Sequence, residues 1–270
     1  MELSYLNLYD AEAAWRLVHD LGDRPAAAII KHANPCGAAV ASDLATAYRL
    51  AFECDERSAF GGIVAVNGPI DEATCDAVVA AAQADVIIAP GYAPGTLERL
   101  KAKRKNTRLL EAPTPPGGAG LDLRQISGGF LVQEPHRFVS GRGDWRVVTK
   151  VAPTEDQWAD VELAWRLCGH VKSNAIVLVR GGQAVGIGAG QQNRVESGQI
   201  AAAKAAGRAA GGACASDAFY PFPDGVEAAA AAGAAVVIQP GGALRDDEVI
   251  AAADRLGLAM VLTGERHFLH

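Results

Sequence analysis

The chain reads AAAIIKHANPCG over residues 26–37, an apolar run that changes abruptly into polar and turn-forming residues. The apolar part, 26–30, is typical of a strand that is buried on both faces. The turn-forming residues that follow, 34–37, predict a reversal of the chain. Lys31 and His32 therefore stand at the end of a buried strand, at the sheet edge where α/β proteins place their chemistry. We expect both side chains to line one cleft, because the alternation of strand side chains ends with the strand.

This neighbouring lysine and histidine are suited to chemistry in which a proton moves. A histidine exchanges protons near neutral pH, and a lysine places a positive charge beside it. The alternative is a surface lysine next to a histidine that makes only structural hydrogen bonds. A two-residue motif does not decide between these interpretations, so the decision depends on the rest of the chain.

The composition excludes several classes of protein. The 270 residues are 50% hydrophobic and 21% charged, which is typical of a globular protein. A net charge of −6 excludes a general attraction to nucleic acid or to an anionic membrane surface. No apolar run approaches the ~20 residues that span a bilayer. The five cysteines form no C-x-x-C pair, so we predict neither a disulfide framework nor a metal site. Free cysteines are typical of a reducing compartment, so we also predict a location in the cytoplasm.

Strand and helix patterns alternate along the chain. Before residue 112 we predict helices opened by Asp10, by Ser42 or Asp43, at 71–82 and at 96–105, with strands at 26–30, 63–66, 86–89 and 107–110. After residue 150 we predict helices at 154–167, 197–210, 226–232 and 246–256, with strands at 175–179, 183–187, 236–239 and 259–262. This alternation predicts an α/β fold with a parallel or mixed sheet covered by helices.

A loop separates two similar halves in this prediction. The stretch 112–120 contains three prolines and three glycines, which predicts a loop or linker. We place the first half at 1–125 and the second at 126–270, and the boundary stays open within 112–150.

Two polar clusters flank predicted strands. Residues 58–62, S-A-F-G-G, contain two glycines that allow the backbone to approach a ligand closely. They also contain Phe60, whose ring offers a face for stacking. Residues 172–174, K-S-N, offer a cation, a hydroxyl and an amide at one sheet edge. The alternative for residues 58–62 is a tight loop with one core phenylalanine. The alternative for residues 172–174 is a strand entry that is capped by polar side chains.

Three further clusters lie in the second half. Residues 186–194, GIGAGQQNR, lead into a helix N-terminus and could hold an anionic or polar ligand. Residues 216–225 crowd three aromatic side chains into one corner, which suits a flat heteroaromatic ligand or, alternatively, packing on the core. Residues 263–270 carry Arg266, which could clamp a phosphate or a carboxylate, unless this ending is a disordered tail.

Together these clusters resemble one enzyme family. The motifs K-H-A-N-P-C-G, S-A-F-G-G, I-S-G-G-F-L-V-Q, K-S-N-A-I, G-I-G-A-G-Q-Q-N-R, S-D-A-F-Y-P-F-P-D and R-H-F-L-H occur in the order of the aminoimidazole carboxamide ribonucleotide transformylases. The resemblance covers the chain from Leu3 to His270. It implies two tandem cytidine-deaminase-like α/β/α subdomains with mixed sheets. It also implies formyl transfer from 10-formyltetrahydrofolate to the 5-amino group of the ribonucleotide, by a homodimer with active sites across the interface.

The resemblance also assigns roles to individual residues. It implies that His32 is the catalytic base, that Lys31 is a catalytic lysine and that Asn174 is an orienting amide. The folate side corresponds to four residues, Arg194, Phe219, Phe222 and Asp224. The ribonucleotide side corresponds to Asn7, Phe60, Gly61 and Arg266. Some relatives bind a monovalent cation, which the resemblance leaves open for this chain.

The chain departs from the family pattern in two ways. It lacks the cyclohydrolase domain, and it starts just downstream of a family segment that supplies an arginine and a tyrosine to the substrate phosphate. We therefore expect folate analogues to bind better than the ribonucleotide. The alternative to an active enzyme is a ligand-binding or dimer-forming remnant of the family. A zinc deaminase needs H-x-E and P-C-x-x-C, neither of which stands at His32 or Cys36.

Overall fold

The computed structural model describes residues 2–115 and 120–270, so residues 116–119 of the predicted 112–120 loop lie outside the described residues. Over these ranges the chain forms nine α-helices, α1 (Tyr5–Asp20), α2 (Leu44–Cys54), α3 (Glu56–Ala59), α4 (Glu72–Ala80), α5 (Thr96–Lys103), α6 (Glu155–Cys168), α7 (Arg194–Ala205), α8 (Asp224–Ala231) and α9 (Asp246–Leu256). The strands are β1 (Ala26–Lys31), β2 (Asn34–Val40), β3 (Ile63–Val66), β4 (Val86–Ala89), β5 (Arg108–Glu111), β6 (Asp122–Ile126), β7 (Gly129–Gln133), β8 (Arg146–Val147), β9 (Ile176–Arg180), β10 (Gln183–Gly188), β11 (Ala213–Ser216), β12 (Val236–Gln239) and β13 (Ala259–Leu262). None of the helices within these ranges has the length and apolar character needed to cross a membrane.

Eleven of the strands form one mixed sheet, in the order β5-β4-β3-β1-β2-β10-β9-β11-β12-β13-β8. The first half contributes the antiparallel hairpin β1-β2 and the parallel strands β3, β4 and β5. The second half contributes the antiparallel hairpin β9-β10 and the parallel strands β11, β12 and β13. The hairpins meet at the centre, where β2 pairs antiparallel with β10 at Ala39 and Gln183. The predicted α/β fold with mixed strand directions is confirmed, and both halves share a single continuous sheet.

Alternate strand residues face two different layers of helices. Ala28 and Ile30 of β1 belong to the core that contains α1, whereas Ala27 and Ile29 belong to the core that contains α2. Helices α1 and α6 cover one face of the whole sheet. The other face is covered by α2, α4 and α5 in the first half and by α7, α8 and α9 in the second. Burial on both faces explains why the central strands are continuous apolar runs in the sequence.

The position of the boundary between the halves stays a prediction. Strand β6 spans the predicted junction between residues 125 and 126, and it pairs with β7 in a separate two-stranded sheet. Every residue of these two strands except Gly129 is exposed. The region that connects the halves therefore contains a solvent-exposed hairpin in addition to the predicted loop.

The predicted start of the first helix was wrong. Helix α1 begins at Tyr5, because Ser4 forms a capping box in which its hydroxyl accepts from the Asn7 N–H and the Asn7 side chain accepts from the Ser4 N–H. Asp10 is instead a residue within this helix, and its carboxylate accepts a hydrogen bond from the Ala33 N–H at 2.9 Å. The residue that caps α1, Ser4, therefore lies six positions before Asp10, the predicted cap.

The predicted turn at 34–37 was also wrong. The chain reverses at His32 and Ala33, and Asn34 already begins β2. Pro35 lies opposite Ile30, beside an irregularity in the register of β1 and β2. A proline lacks the N–H that a regular ladder needs, so it is tolerated where the register is interrupted.

Glycines in the second strand of each hairpin let a helix approach closely. A Cβ at Gly37 would lie 1.9 Å from the Ala51 carbonyl oxygen of α2. A Cβ at Gly188 would lie 1.9 Å from the Ser197 carbonyl oxygen of α7. Neither position has room for any side chain unless the helix moves away from the sheet.

We expect Gly37→Ala to lower the free energy of unfolding by about 1–3 kcal/mol, the usual cost of overpacking a core. The cause is the displacement of α2 from β2. Urea denaturation measures the change. Gly143→Ala is the control, because nothing lies within 4 Å of the Cβ position at Gly143. Equal effects of the two substitutions would contradict the close approach of α2.

Candidate functional site

The end of β1 brings three predicted site residues together. The Lys31 ammonium donates a hydrogen bond to the Phe60 carbonyl oxygen at 2.8 Å. A Cβ at Gly61, whose φ is +68°, would lie 2.9 Å from the Lys31 Nζ atom. Because Gly61 has no Cβ, the Lys31 ammonium can lie close to the backbone at residue 61. The Phe60 ring itself is 65% exposed, so its face is available to a ligand.

His32 lies at the tip of the β1-β2 hairpin. His32 and Ala33 have φ values of +59° and +56°, a left-handed conformation that is uncommon for residues other than glycine. The Asp10 carboxylate holds this turn through the Ala33 N–H. The His32 side chain is exposed, in contrast to the buried strand that precedes it. Strained turns of this kind are often retained at functional sites, which makes the tip a candidate for chemistry.

Asn174 is fixed by a network at the N-terminus of α7. Its amide nitrogen donates to the Gln191 carbonyl oxygen at 2.8 Å, and its amide oxygen accepts from the Arg194 guanidinium at 2.7 Å. The Ser197 hydroxyl donates to the Asn174 backbone oxygen at 2.6 Å. The network therefore defines the orientation of the Asn174 amide, and the role of this amide toward a substrate stays a prediction.

Asp217 is a buried residue of this site that the sequence analysis did not assign. Its carboxylate is fully buried and pairs with the Arg194 guanidinium, of which 10% is exposed. It also accepts from the Ser173 hydroxyl and from the Ala175 N–H. A buried carboxylate is stable only with such partners. We call Ser173, Asn174, Arg194 and Asp217 the Asn174 cluster. Asp217 directly follows β11, a strand that was not predicted, so nothing in the sequence placed this carboxylate at a strand end.

A hydrogen bond joins the two halves of the candidate site. The Lys172 N–H donates to the Asn34 side-chain oxygen at 3.0 Å. Asn34 follows the His32 turn, and Lys172 precedes the Asn174 cluster, so the tips of the two sheet halves are tied together. Burial and, secondly, the charge of Arg124 lower the pKa of the Lys172 ammonium.

The C-terminal segment packs along the Asn174 cluster. The His267 N–H donates to the Asp217 backbone oxygen at 3.0 Å, and the Ser173 N–H donates to the Leu269 oxygen at 2.9 Å. Arg266, directly before these contacts in the chain, is exposed, with its guanidinium 4.7 Å from the centroid of the Phe268 ring. The segment is thus docked on the site, and the Arg266 side chain stays accessible to a ligand.

The remaining predicted residues are engaged locally. Phe222 lies under the Arg245 guanidinium, 5.0 Å from its ring centroid, and Phe219 is 36% exposed. The exposed Asp224 accepts from the Gly225 N–H at the start of α8. Asn7 belongs to the capping box of α1. Their predicted ligand contacts stay predictions.

Within the described residues, no group of three or more histidine, cysteine, aspartate or glutamate side chains is arranged to hold a metal ion. The Asn174 cluster instead balances its buried carboxylate with the arginine of α7.

Comparison with known proteins identifies the family. The sequence profile described as "AICARFT/IMPCHase bienzyme" matches residues 1–204. The chain belongs to this family. Three AICARFT/IMPCHase relatives, each named bifunctional purine biosynthesis protein PurH, are similar over the whole chain. That of Roseobacter denitrificans is 51% identical over 283 aligned positions, that of Cyanothece sp. 50% over 269 and that of Neisseria gonorrhoeae 49% over 272. The alignments cover 100% of this chain but 53%, 52% and 51% of these relatives, so the chain spans about half of their length.

Proposed function

We propose that this chain carries out formyl transfer from 10-formyltetrahydrofolate to the 5-amino group of aminoimidazole carboxamide ribonucleotide. Its membership of the AICARFT/IMPCHase family and the names of its relatives support the reaction class. The observation that carries the proposal is the bond between Lys172 and Asn34, which ties the Lys31–His32 tip to the Asn174 cluster. A base, a cation and an oriented amide are the groups that this reaction needs.

His32 is proposed to accept the proton of the attacking amine. The amine nitrogen bonds to the formyl carbon, and the nitrogen loses a proton as the bond forms. His32 is the exposed imidazole at the hairpin tip and can take that proton directly or through the carboxamide.

Lys31 and Asn174 are proposed to stabilise the intermediate. The tetrahedral intermediate carries an oxyanion, and the bond from its carbon to the folate nitrogen then breaks, with a proton delivered to that nitrogen. The Lys31 ammonium can balance the oxyanion or supply this proton, and the Asn174 amide can hold the carboxamide or the oxyanion. Alignment of the two substrates supplies a further part of the rate.

The folate and the ribonucleotide are proposed to contact separate sets of residues. On the folate side, the guanidinium of Arg194 is fixed by Asp217, and the exposed rings of Phe219 and Phe222 offer stacking faces. The Asp224 carboxylate is proposed to bind the same co-substrate. On the ribonucleotide side we propose Asn7, Phe60, Gly61 and Arg266. The monovalent cation of some relatives stays a prediction from the resemblance.

The test is an assay for formylated ribonucleotide with both substrates present, run beside calorimetric titrations of each ligand alone. Product formation that requires both substrates supports the proposal. Binding of a folate analogue without any product would instead favour the ligand-binding remnant. Failure to bind either ligand, with the protein folded, would remove both of these interpretations and leave only the dimer-forming remnant.

We propose that the chain acts as a homodimer. Large apolar side chains are exposed at the start of α1 and on, or directly before, the β6-β7 hairpin, namely Tyr5, Leu6, Leu8, Tyr9, Leu121, Leu123, Phe130, Leu131 and Val132. Exposed apolar surface of this extent is typical of a protein interface. A second copy of the chain is the partner that the family resemblance implies.

Light scattering at micromolar concentration is expected to give about twice the chain mass of 28.0 kDa. Phe130 and Val132 lie two residues apart on one strand, so their side chains share one face of the hairpin. We expect Phe130→Asp combined with Val132→Asp to shift the mass to one chain, because charges at an interface core oppose association. Leu244→Asp, at another exposed leucine, is the control. A single-chain mass for the unmodified protein would contradict the dimer.

The cysteines support the predicted location in the cytoplasm. All five are free thiols in the described residues, and all five are buried. Burial raises the pKa of the Cys36 and Cys54 thiols to about 12, which keeps them protonated and unreactive.

A further inference from the structure

Three histidine rings pack together outside the candidate site. The Nε2 atom of His136 lies 2.6 Å from the Nδ1 atom of His267, and the ring centroids of His136 and His170 are 5.7 Å apart. Phe138 and Trp165 enclose His267, with ring centroids at 4.6 and 4.9 Å. Only 2% of His267 is exposed, so its side of the hydrogen bond is shielded from water, whereas part of His136 is open to solvent.

The charged groups around these rings come from three parts of the chain. At the end of α1, the Asp20 carboxylate lies 2.8 Å from the Nε2 atom of His170. Arg166 of α6 donates to the Asp20 backbone oxygen at 3.0 Å. In the C-terminal segment, a Glu265 carboxylate oxygen lies 3.6 Å from the Nε2 atom of His267. The Val139 N–H holds that carboxylate in place at 2.9 Å.

These neighbours determine where the protons of the pair lie. A hydrogen bond between two neutral imidazoles needs one donor nitrogen and one acceptor nitrogen. The Glu265 carboxylate, 3.6 Å from the Nε2 atom of His267, favours the tautomer of His267 that carries its proton on Nε2. Its Nδ1 atom is then the acceptor, and His136 donates from Nε2. The bond is lost once both rings are protonated, because both facing nitrogens are then donors.

His267 connects this pair to the Asn174 cluster through its backbone. The His267 N–H donates to the Asp217 oxygen, and two residues later the Leu269 oxygen accepts from the Ser173 N–H. Asp217 and Ser173 are both members of the Asn174 cluster. A shift of the C-terminal segment would therefore change the support of Arg194 and Asn174.

We propose that the hydrogen-bonded His136–His267 pair is a positioning device that fixes the C-terminal segment 263–270 against the Asn174 cluster. The effect on catalysis rests on the proposed function, whereas the effect on the segment does not. His136 and His267 touch no reacting atom in this proposal, and they act through Asp217.

The titration of the two rings supports this role. Burial, and secondly the neighbouring histidines, lower the pKa of His136 and of His267 to about 4. The imidazoles of an unfolded chain have a pKa of about 6.5. Between these values the unfolded chain binds more protons than the folded one. The stabilisation by the pair is therefore complete above about pH 6.5 and is lost as the pH falls toward 4.

Amide hydrogen exchange of the ligand-free protein tests the proposal. His267→Leu removes the hydrogen bond to His136. We expect the backbone N–H groups of residues 267 and 173 to exchange roughly tenfold faster in this variant, because one buried hydrogen bond contributes stability on that scale. His267→Asn keeps a hydrogen-bonding atom near the Nδ1 position, and we expect it to restore protection to within about threefold. His19→Gln is the control, because His19 packs on Trp15 outside the cluster.

Hydrogen exchange of the unmodified protein over a series of pH values tests the proposal independently, even if His267→Leu does not fold. We expect protection of the same two amides to fall between pH 6.5 and 4, after correction for intrinsic exchange, while amides of β3 and β4 keep theirs. Unchanged exchange in His267→Leu, or imidazoles of His136 and His267 that titrate near 6.5, would overturn the proposal. If these amides respond as expected but no formyl transfer occurs, the proposed function fails and the positioning role stands.

Discussion

His32→Ala is expected to lower kcat for formyl transfer by roughly 10²-fold or more, the usual contribution of a general base. The affinity for a folate analogue should change little, because His32 lies at the β1-β2 tip and Arg194 lies at the start of α7. Steady-state kinetics and calorimetry measure the two quantities.

A second substitution separates the chemistry of His32 from its backbone conformation. His32 has a φ of +59°, so an alanine there could disturb the turn as well as remove the imidazole. Asparagine adopts the left-handed conformation more readily than most residues, so His32→Asn keeps the turn and removes the base. We expect His32→Asn to lose as much activity as His32→Ala. Activity restored in His32→Asn would mean that the residue shapes the turn and is not the base.

Asp217→Ala is expected to destabilise the fold by about 3–5 kcal/mol, the typical cost of removing one partner of a buried ion pair. The Arg194 guanidinium would be left without its buried carboxylate, and the Ser173 hydroxyl and the Ala175 N–H would each lose an acceptor. Because Arg194 also holds the Asn174 amide, we expect folate-analogue binding to be lost as well. Urea denaturation and calorimetry measure the two effects.

Asp224→Asn is the matched control for the effect of Asp217→Ala on stability. Asp224 is exposed and makes one local hydrogen bond, to the Gly225 N–H, so its substitution should change the stability by less than about 0.5 kcal/mol. Asp217→Asn adds a variant of nearly the same shape without the charge. If Asp217→Ala and Asp217→Asn were as stable as Asp224→Asn, the buried ion pair would not be what holds the cluster together.

The sequence predicted the parts of the fold that depend on local patterns. The apolar runs at Val236–Gln239 and Ala259–Leu262 were predicted with the bounds that the structure has, because strands buried on both faces leave an unbroken signal. Strand β2 was missed for the opposite reason. It begins with Asn34 and Pro35, which are turn formers, and only its pairing with β1 and β10 makes it a strand.

The candidate site was partly predictable for a similar reason. Lys31, His32 and Asn174 lie in recognisable motifs at strand ends, so their positions could be proposed from the sequence. Asp217 could not be assigned, because its importance comes from burial and from contacts with residues 23 and 44 positions away. The His136–His267 contact spans 131 residues, and His136 belongs to no motif. Long-range packing of this kind has no local signature.

A double-mutant cycle on His32 and Asn174 tests most directly whether the tips of the two sheet halves form one active site. The two residues belong to different halves, and the link between their loops is the bond from Lys172 to Asn34. Groups that act in the same step lose their effects together, so we expect the double variant His32→Ala/Asn174→Ala to be no more than about threefold slower in kcat than the slower single variant. Losses that multiply across the two substitutions, or an unmodified protein that forms no formylated product, would contradict a single shared site.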